Sequence, residues 1–566
     1  MTFTEWFLFF SAIQVIHFLG TWKLYIKAGR KAWEAAIPIY NGIVLMKIIN
    51  RPKWWVVLLF VPVVNLLMFP VIWIETIRSF GFGAKKHSFL VIATLGLYIF
   101  YINYATDTNY REDRSLSPQS ELGEWVSSIA FAIIAATLVH TYFMQPFTIP
   151  TSSLEKTLLV GDYLFVSKFH YGARIPMTPI SAPMVHDSLP YTGNKSYLKK
   201  PQLPYMRLPG FQKIKRNDIV CFNWPADSLK TMWGDNSGKF TYKPVDKKTN
   251  YVKRCVGIAG DTLAIKEGYV YIDGKKNDLP DRAKLQFYYT YTSKEPITNI
   301  NYPDFLRNHN ERTLVYKIST EYWNDQRVQK AFEESANLTA ISSDSLYTEV
   351  AGGVEQSLAQ RLKMQQVDYK ININLTEEEA DQLRKYPLTV SVKKIIHAVD
   401  NKIFPHIKSN HWSQDNFGPI YIPEAGKTIE LTAKNIPYYE QIIKNYENNS
   451  LEIIGENIFI NGKNTSSYTF KQDYYWMMGD NRHNSLDARY FGFTPFDHVL
   501  GKPVMVFFSW DPNAPNIFAK LKTIRWERLL TTVGGSGKLV SYLKPFLLLV
   551  SLYWVFRLYR KKKKKK

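Results

Sequence analysis

Two adjacent hydroxyls, Ser152 and Ser153, sit in the stretch FTIPTSSLEKTLLVGDYLFVSK at 147–168. A serine attacks a carbonyl only when a neighbouring base takes its proton. Histidine is the usual base, and the chain has 11. His140 lies at the edge of an apolar run and His170 follows a strand-like run, but neither has a carboxylate partner nearby in sequence. The H-E-x-x-H spacing of a zinc hydrolase is absent, so no metal is expected. Lysine is the other candidate base. It must be neutral, which requires apolar burial to lower its pKa. Lys253 has that setting, with Tyr251, Val252, Cys255, Val256 and Ile258 around it in YVKRCVGIAGDTL. A third stretch, MGDNRHNSLDARYFG at 478–492, is dense in polar groups. Ser485, Asp487 and Arg489 alternate there, which on an extended backbone puts all three on one face. Asp487 and Arg489 would form a charge-assisted pair, leaving Ser485 to orient a neutral amine. Taken singly, these are a loop serine after a proline, a solvent-facing strand lysine and a solvated turn with a surface ion pair. Their occurrence together is what favours chemistry.

The elements that must position them begin in a membrane. Four apolar runs precede Phe147, at 6–22, 54–74, 88–106 and 125–145, each about long enough to cross the hydrocarbon core. A fifth, at 539–556, lies near the C-terminus and ends in basic residues. The first run lacks a basic leader and a small-residue cleavage site, so it does not read as a cleavable signal peptide. The segment 23–53 has seven basic residues and one acid, which assigns it to the cytoplasm. Four spans threaded from an outside N-terminus then put Phe147 outside, and a fifth returns the basic tail to the cytoplasm. Arg78, Lys85 and Lys86 face the wrong way in this threading. Pro62 and Pro70 mark the second run as a candidate for a broken or re-entrant segment. Residues 37–49 read as an amphipathic helix lying along the membrane surface.

From 148 to 521 the pattern is short strands punctuated by glycine and proline. A tight Gly161-Asp162 turn leads into an alternating strand. The proline-rich segment 175–210 reads as an ordered loop, and DIVCFNW at 218–224 as a strand. TLAIKEGYVYIDGKK at 262–276 and SLEIIGENIFINGKN at 450–464 read as hairpins that bracket an insertion. Within the insertion, Thr376 to Glu379 form a capping box that opens a short helix, and 436–446 reads as helical.

The net charge is +22, which by itself suggests nucleic acid or an anionic membrane. The charge is dispersed apart from the run Lys561 to Lys566, and no RNA- or DNA-binding signature accompanies it. The membrane is therefore the expected partner and nucleic acid is not. Two cysteines, Cys221 and Cys255, exclude a disulfide framework and a four-cysteine metal site, and both read as buried free thiols.

The blocks at 149–168, 215–222, 251–262 and 479–501, in this order and after a membrane span, resemble bacterial signal peptidase I, or leader peptidase. The resemblance implies a mostly β, signal-peptidase-like catalytic domain. Here that domain would carry a large α+β insertion and be anchored by N-terminal transmembrane helices and one C-terminal transmembrane helix. The implied division is a membrane region at 1–146, catalytic parts at 147–276 and 450–530 around an insertion at 277–449, a transmembrane helix at 538–558 and a cytoplasmic tail at 559–566. By position, the resemblance assigns the nucleophile to Ser153 and the general base to Lys253. It assigns the lysine-orienting serine to Ser485, the supporting ion pair to Asp487 and Arg489, and the oxyanion hole to Thr151 with the Ser153 amide. The family usually reads Ser-Gly-Ser-Met with a proline two residues on. This chain has Ser152 for the glycine and Lys156 at the proline position, and TLLVGD downstream sets the register on Ser153 rather than Ser152. His483 replaces an acidic residue.

The implied reaction is removal of signal peptides from secreted preproteins by a Ser-Lys endopeptidase, without cofactor. It would take place at the outer, periplasmic face of a multi-pass protein of the bacterial inner membrane. The alternatives are a self-cleaving repressor-type Ser-Lys protease and a catalytically silent membrane scaffold. Five apolar runs argue against the first, and Ser153, Lys253 and Ser485 together argue against the second. Preprotein preference, oligomeric state and the role of the insertion are not written in the sequence.

Overall fold

The computed structural model describes residues 3–117, 120–227, 240–298, 300–307, 311–335, 337–455 and 457–563. Lys564 to Lys566 of the basic tail and Glu456 of the second hairpin lie outside these residues.

Among the described residues two helices are long and apolar enough to cross a membrane, Thr4–Lys27 and Glu121–Phe143. Phe7, Leu8 and Val15 on the first and Trp125 and Phe131 on the second are exposed, as lipid-facing side chains must be. The other two N-terminal runs are not simple spans, which corrects the expected count of four. The 54–74 run breaks at Pro62, where Val63 has φ +69°, into Trp55–Leu58 and Val64–Ser79. The 88–106 run forms two short helices, Lys85–Ala93 and Tyr98–Ala105, bent by 117°. Gly96 sits at that bend with φ +88°, and a Cβ there would strike the Trp73 indole.

Hydrogen bonds show which ends lie together. At one end Lys27 reaches the Thr106 carbonyl, Asn50 the Glu112 carbonyl, and Arg51, Arg78 and Arg114 all bond Glu75. At the other end Tyr142 donates to the Pro62 carbonyl, and Trp6 Nε1 donates to the Gln202 carbonyl of the β body at 3.2 Å. The segments 51–79 and 85–106 therefore leave and return at the same end. Arg78 joins Arg51 there, both bonded to Glu75. The helix Tyr40–Ile48 does not lie on a surface: Val44, Leu45, Met46 and Ile48 are buried in the helical cluster.

The expected C-terminal transmembrane helix is also corrected. Leu543–Lys563 is helical, but it is not among the helices long and apolar enough to cross a membrane. Lys544 and Arg557 leave only about a dozen uncharged residues between them, roughly 18 Å of helix against a hydrocarbon core of about 30 Å.

The body is β-rich. Its largest sheet has eight antiparallel strands, in the order Met144–Thr148, Asp162–Ser167, Val499–Ser509, Ile219–Asn223, Asn250–Gly257, Tyr474–Met478 and Thr494–Pro495, with Thr531–Thr532 pairing Val499–Ser509. Strands distant in sequence thus lie side by side. Residues 286–394 fold into a separate six-stranded antiparallel sheet with short helices. Among these is Glu377–Arg384, opened by the Thr376 capping box as expected. Both hairpins form, and each turns again at its dipeptide: Asp273-Gly274 and Asn461-Gly462 have φ of +50°, +80°, +52° and +75°. Segment 175–210 has isolated bridges and no helix. Cys221 and Cys255 are buried and unpaired.

Candidate active site

The first membrane-exit strand, Met144–Thr148, pairs with Asp162–Ser167, and the chain between them closes into a loop. Ile149 and Gly161 bond across its neck. Gly161 has φ +86° and packs on the Trp510 carbonyl so closely that no side chain fits. At the tip of the loop, Ser152–Leu154 forms a single 3-10 turn. This turn points the two serines in different directions. Ser153 is buried and faces the lysine strand, while Ser152 donates to Glu311 Oε1 at 2.7 Å.

Lys253 lies on Asn250–Gly257, where its backbone pairs Val220 on one side. The strand is sheathed on both faces, so Lys253 is only 5% exposed. Its Nζ lies 2.5 Å from Ser153 Oγ, and no carboxylate bonds the amine among the described residues. Burial pushes its pKa down to about 8. Arg489 adds to that effect, and Asp487 and Asp480 oppose it. The Tyr251 ring lies 5.6 Å from Nζ.

The block 478–492 is not extended. Asp487 caps a helical turn, Ala488–Phe491, and accepts the Arg489 amide. Asp487 and Arg489 make the expected pair as a two-pronged fork, with both bonds at 2.8 Å and both side chains fully buried. The second Asp487 oxygen also accepts the Gly479 amide. The Ser485 hydroxyl is buried with no hydrogen-bond partner among the described residues. It lies against Gly479 and near the Ser153 carbonyl, and no bond to Lys253 is made. Thr151 is exposed and its side chain makes no capping bond.

Gly479 is needed at this junction. A Cβ there would come within 2.5 Å of the Ser153 carbonyl oxygen and closer still to the Ser485 hydroxyl. Overpacking of this kind costs about 1–3 kcal/mol, and a displacement of about 1 Å at a reacting group costs roughly 100-fold in rate. Gly479→Ala is expected to lose at least about 100-fold in turnover while keeping its far-ultraviolet circular dichroism. Full turnover would show that the contact is not tight.

Several site residues went unread in the sequence. Asn481 donates its amide to the Ser153 carbonyl and its side chain to the Ser152 carbonyl, so one residue holds both serines. Arg254 and Asp480 form a second buried fork, at 2.7 and 2.6 Å, on the opposite face of the strand from Lys253. Thr157 of the serine loop also donates to Asp480. Arg254 adjoins Lys253 in sequence, and a second cation in an apolar strand was the available signal. No such signal marked the inserted residues. Asn374 donates to Asn481, and Gln286 bridges to Asn481 in parallel register. Lys156, with φ +66°, adopts a conformation closed to proline and pairs Glu379 of the insertion.

His397, Asp415 and His483 bring their polar atoms within 4.8 Å of one another. His397 Nδ1 and His483 Nε2 both face Asp415, at 2.9 and 2.8 Å. His483 Nδ1 accepts the Tyr288 amide, so its proton lies on Nε2 and goes to Asp415 Oδ1 at 2.8 Å. Burial pushes His483 down to about 4, and the two histidines hold the Asp415 carboxyl well below the usual range. The three residues act as a strut between the insertion and the block at 478–492.

Comparison with known proteins gives two family matches. The family described as signal peptidase, peptidase S26, matches residues 122–344 and 424–510. A family of unknown function (DUF5684) matches 33–113, the region of the broken helices. Signal peptidase I of Rickettsia rickettsii is 27% identical over 199 residues, 35% of this chain and 58% of the relative. That of Rickettsia felis is 28% identical over 185 residues, 33% and 53%. That of Buchnera aphidicola from Acyrthosiphon pisum is 22% identical over 432 residues, 75% and 88%. The chain thus spans little more than half the length of the two Rickettsia relatives.

Proposed function

The chain belongs to the signal peptidase family, peptidase S26, and from that premise we propose that it is a membrane-bound serine endopeptidase that removes signal peptides from secreted preproteins. The observation that carries this reading is the contact of 2.5 Å between the Ser153 hydroxyl and a buried amine bonded by no carboxylate among the described residues. In the proposed reaction the neutral Lys253 amine takes the Ser153 proton as Oγ attacks the carbonyl of the last signal-peptide residue. The Thr151 hydroxyl and the Ser153 amide receive the developing oxyanion. Protonated Lys253 then passes its proton to the leaving amine, which departs as the new N-terminus. A water deprotonated by the same amine hydrolyses the ester and restores Ser153. The Asp487–Arg489 fork supports the lysine, and the free Ser485 hydroxyl is its orienting partner once substrate reorganises the site.

Two crossing helices fit this role. With the end containing Lys27, Arg51 and Arg78 in the cytoplasm, as its basic residues favour, both the N-terminus and the β body lie on the outer face of the inner membrane. The Trp6–Gln202 bond supports that pairing.

The test is cleavage of a preprotein by the full-length chain in detergent, with an acylating serine probe located by mass spectrometry. Label on Ser153, and a loss of about 10^3-fold or more in Ser153→Ala, are the expected results. Label on Ser152, or normal turnover by Ser153→Ala, would remove the assignment.

A further inference from the structure

The segment preceding the strand Arg312–Ser319 delivers a carboxylate to the serine loop from 159 residues away in sequence. Glu311 is fastened by its own carbonyl, which accepts the Asn374 amide at 2.8 Å. Its side chain is exposed, yet both oxygens are aimed. Oε1 accepts the Ser152 hydroxyl at 2.7 Å. Oε2 accepts the Asn484 amide at 2.6 Å and the Tyr288 hydroxyl at 3.1 Å. All three donors are neutral, and they hold the carboxylate in place.

Its neighbours differ in one respect. Glu378 and Glu379, also inserted and also near the serine loop, are neutralised by Lys284 and Lys156. Among the described residues no lysine or arginine pairs with Glu311. A fixed carboxylate with no cationic partner among the described residues therefore stands against Ser152, one residue along the chain from Ser153. Through Ser152 it lies beside the loop that carries Ser153.

We infer that Glu311, held by Ser152, Asn484 and Tyr288, is a subsite for a cationic side chain of the substrate next to the cleaved bond. The inference rests on the protease reading above, and it gives the insertion a direct part in substrate choice. The carboxylate attracts lysine or arginine at the facing substrate position and repels aspartate or glutamate there.

The experiment uses the full-length enzyme and preproteins that differ only by Lys, Ala or Glu at single positions flanking the cut, with the small residues before the cut left intact. The quantity read is the ratio of kcat/KM for the Lys form to that for the Glu form. It is taken within each enzyme, so any fraction misfolded cancels. The wild type should favour Lys by about tenfold at one flanking position. Glu311→Gln should bring that ratio to within about twofold of one, and Glu311→Lys should invert it. Cleavage with a ratio near one at every position, or a ratio unmoved by Glu311→Gln, overturns the subsite alone. Failure of the wild type to cut any member overturns the protease reading and the subsite with it.

Discussion

Lys253→Met should abolish cleavage and at the same time make the folded protein more stable. A general base contributes roughly 10^2 to 10^4 in rate, and members of a unit such as this lose nearly everything together. A loss of at least about 10^3-fold in kcat is therefore expected. The stability gain follows from burial. The unfolded amine keeps its proton up to the ordinary value of 10.5, whereas the folded one gives it up at about 8. Between those values the unfolded chain binds more protons, so wild-type stability rises with pH. Below pH 8 the whole penalty is present, about 3 kcal/mol for a shift of this size. A buried methionine carries none of it. The Tm of Lys253→Met in detergent should exceed the wild type at pH 7, and the gap should shrink between pH 8 and 10.5. The same ionisation sets the wild-type rate: kcat/KM should climb with pH and level off near pH 8, where the amine becomes neutral. A Met variant that melts lower at pH 7, or a rate indifferent to pH from 6 to 9, would contradict an uncharged buried base.

The second large effect concerns the Asp487–Arg489 fork. Both side chains are fully buried, and breaking such a pair by removing one partner typically costs about 3–5 kcal/mol, because the other charge is left alone. Arg489→Met and Asp487→Asn should both destabilise on that scale. Their effects on the reaction should be opposite. Arg489 helps to lower the Lys253 pKa and Asp487 raises it. Without the arginine, the carboxylate faces the amine unopposed and the rise of kcat/KM moves to higher pH. Without the carboxylate, the rise moves to lower pH. A purely structural role would lower both Tm values and shift neither profile. Displacements in the same direction would show that the pair does not act on the lysine through its charges.

Much of the site was readable because its parts are local patterns. The TLLVGD register pointed to Ser153, and the structure turns Ser152 away to Glu311. The apolar neighbours of Lys253 signal its burial. The alternation of Ser485, Asp487 and Arg489 misled in one respect: the backbone there is a capped turn, because the Asp487 side chain bonds the Arg489 amide in place of a strand neighbour. The membrane region was read least well. Apolar length predicts crossing, but Pro62 and the glycine bend at Gly96 fold two of the runs back. At the C-terminus, Lys544 and Arg557 cut the apolar stretch short.

Composition and spacing alone marked the candidate groups: a pair of serines, a lysine with apolar neighbours, an aspartate and an arginine two residues apart, and a preceding apolar anchor. Tertiary structure alone decided what surrounds them. Asn374 and Glu311 reach the block at 478–492 from the inserted sheet and Asp415 from the segment that follows it, and Glu75 draws together arginines from three separate segments. Hydrophobic pattern and turn propensity act over a few residues. A hydrogen bond between groups more than a hundred residues apart leaves no periodic trace in either partner, and exists only once the sheets have packed.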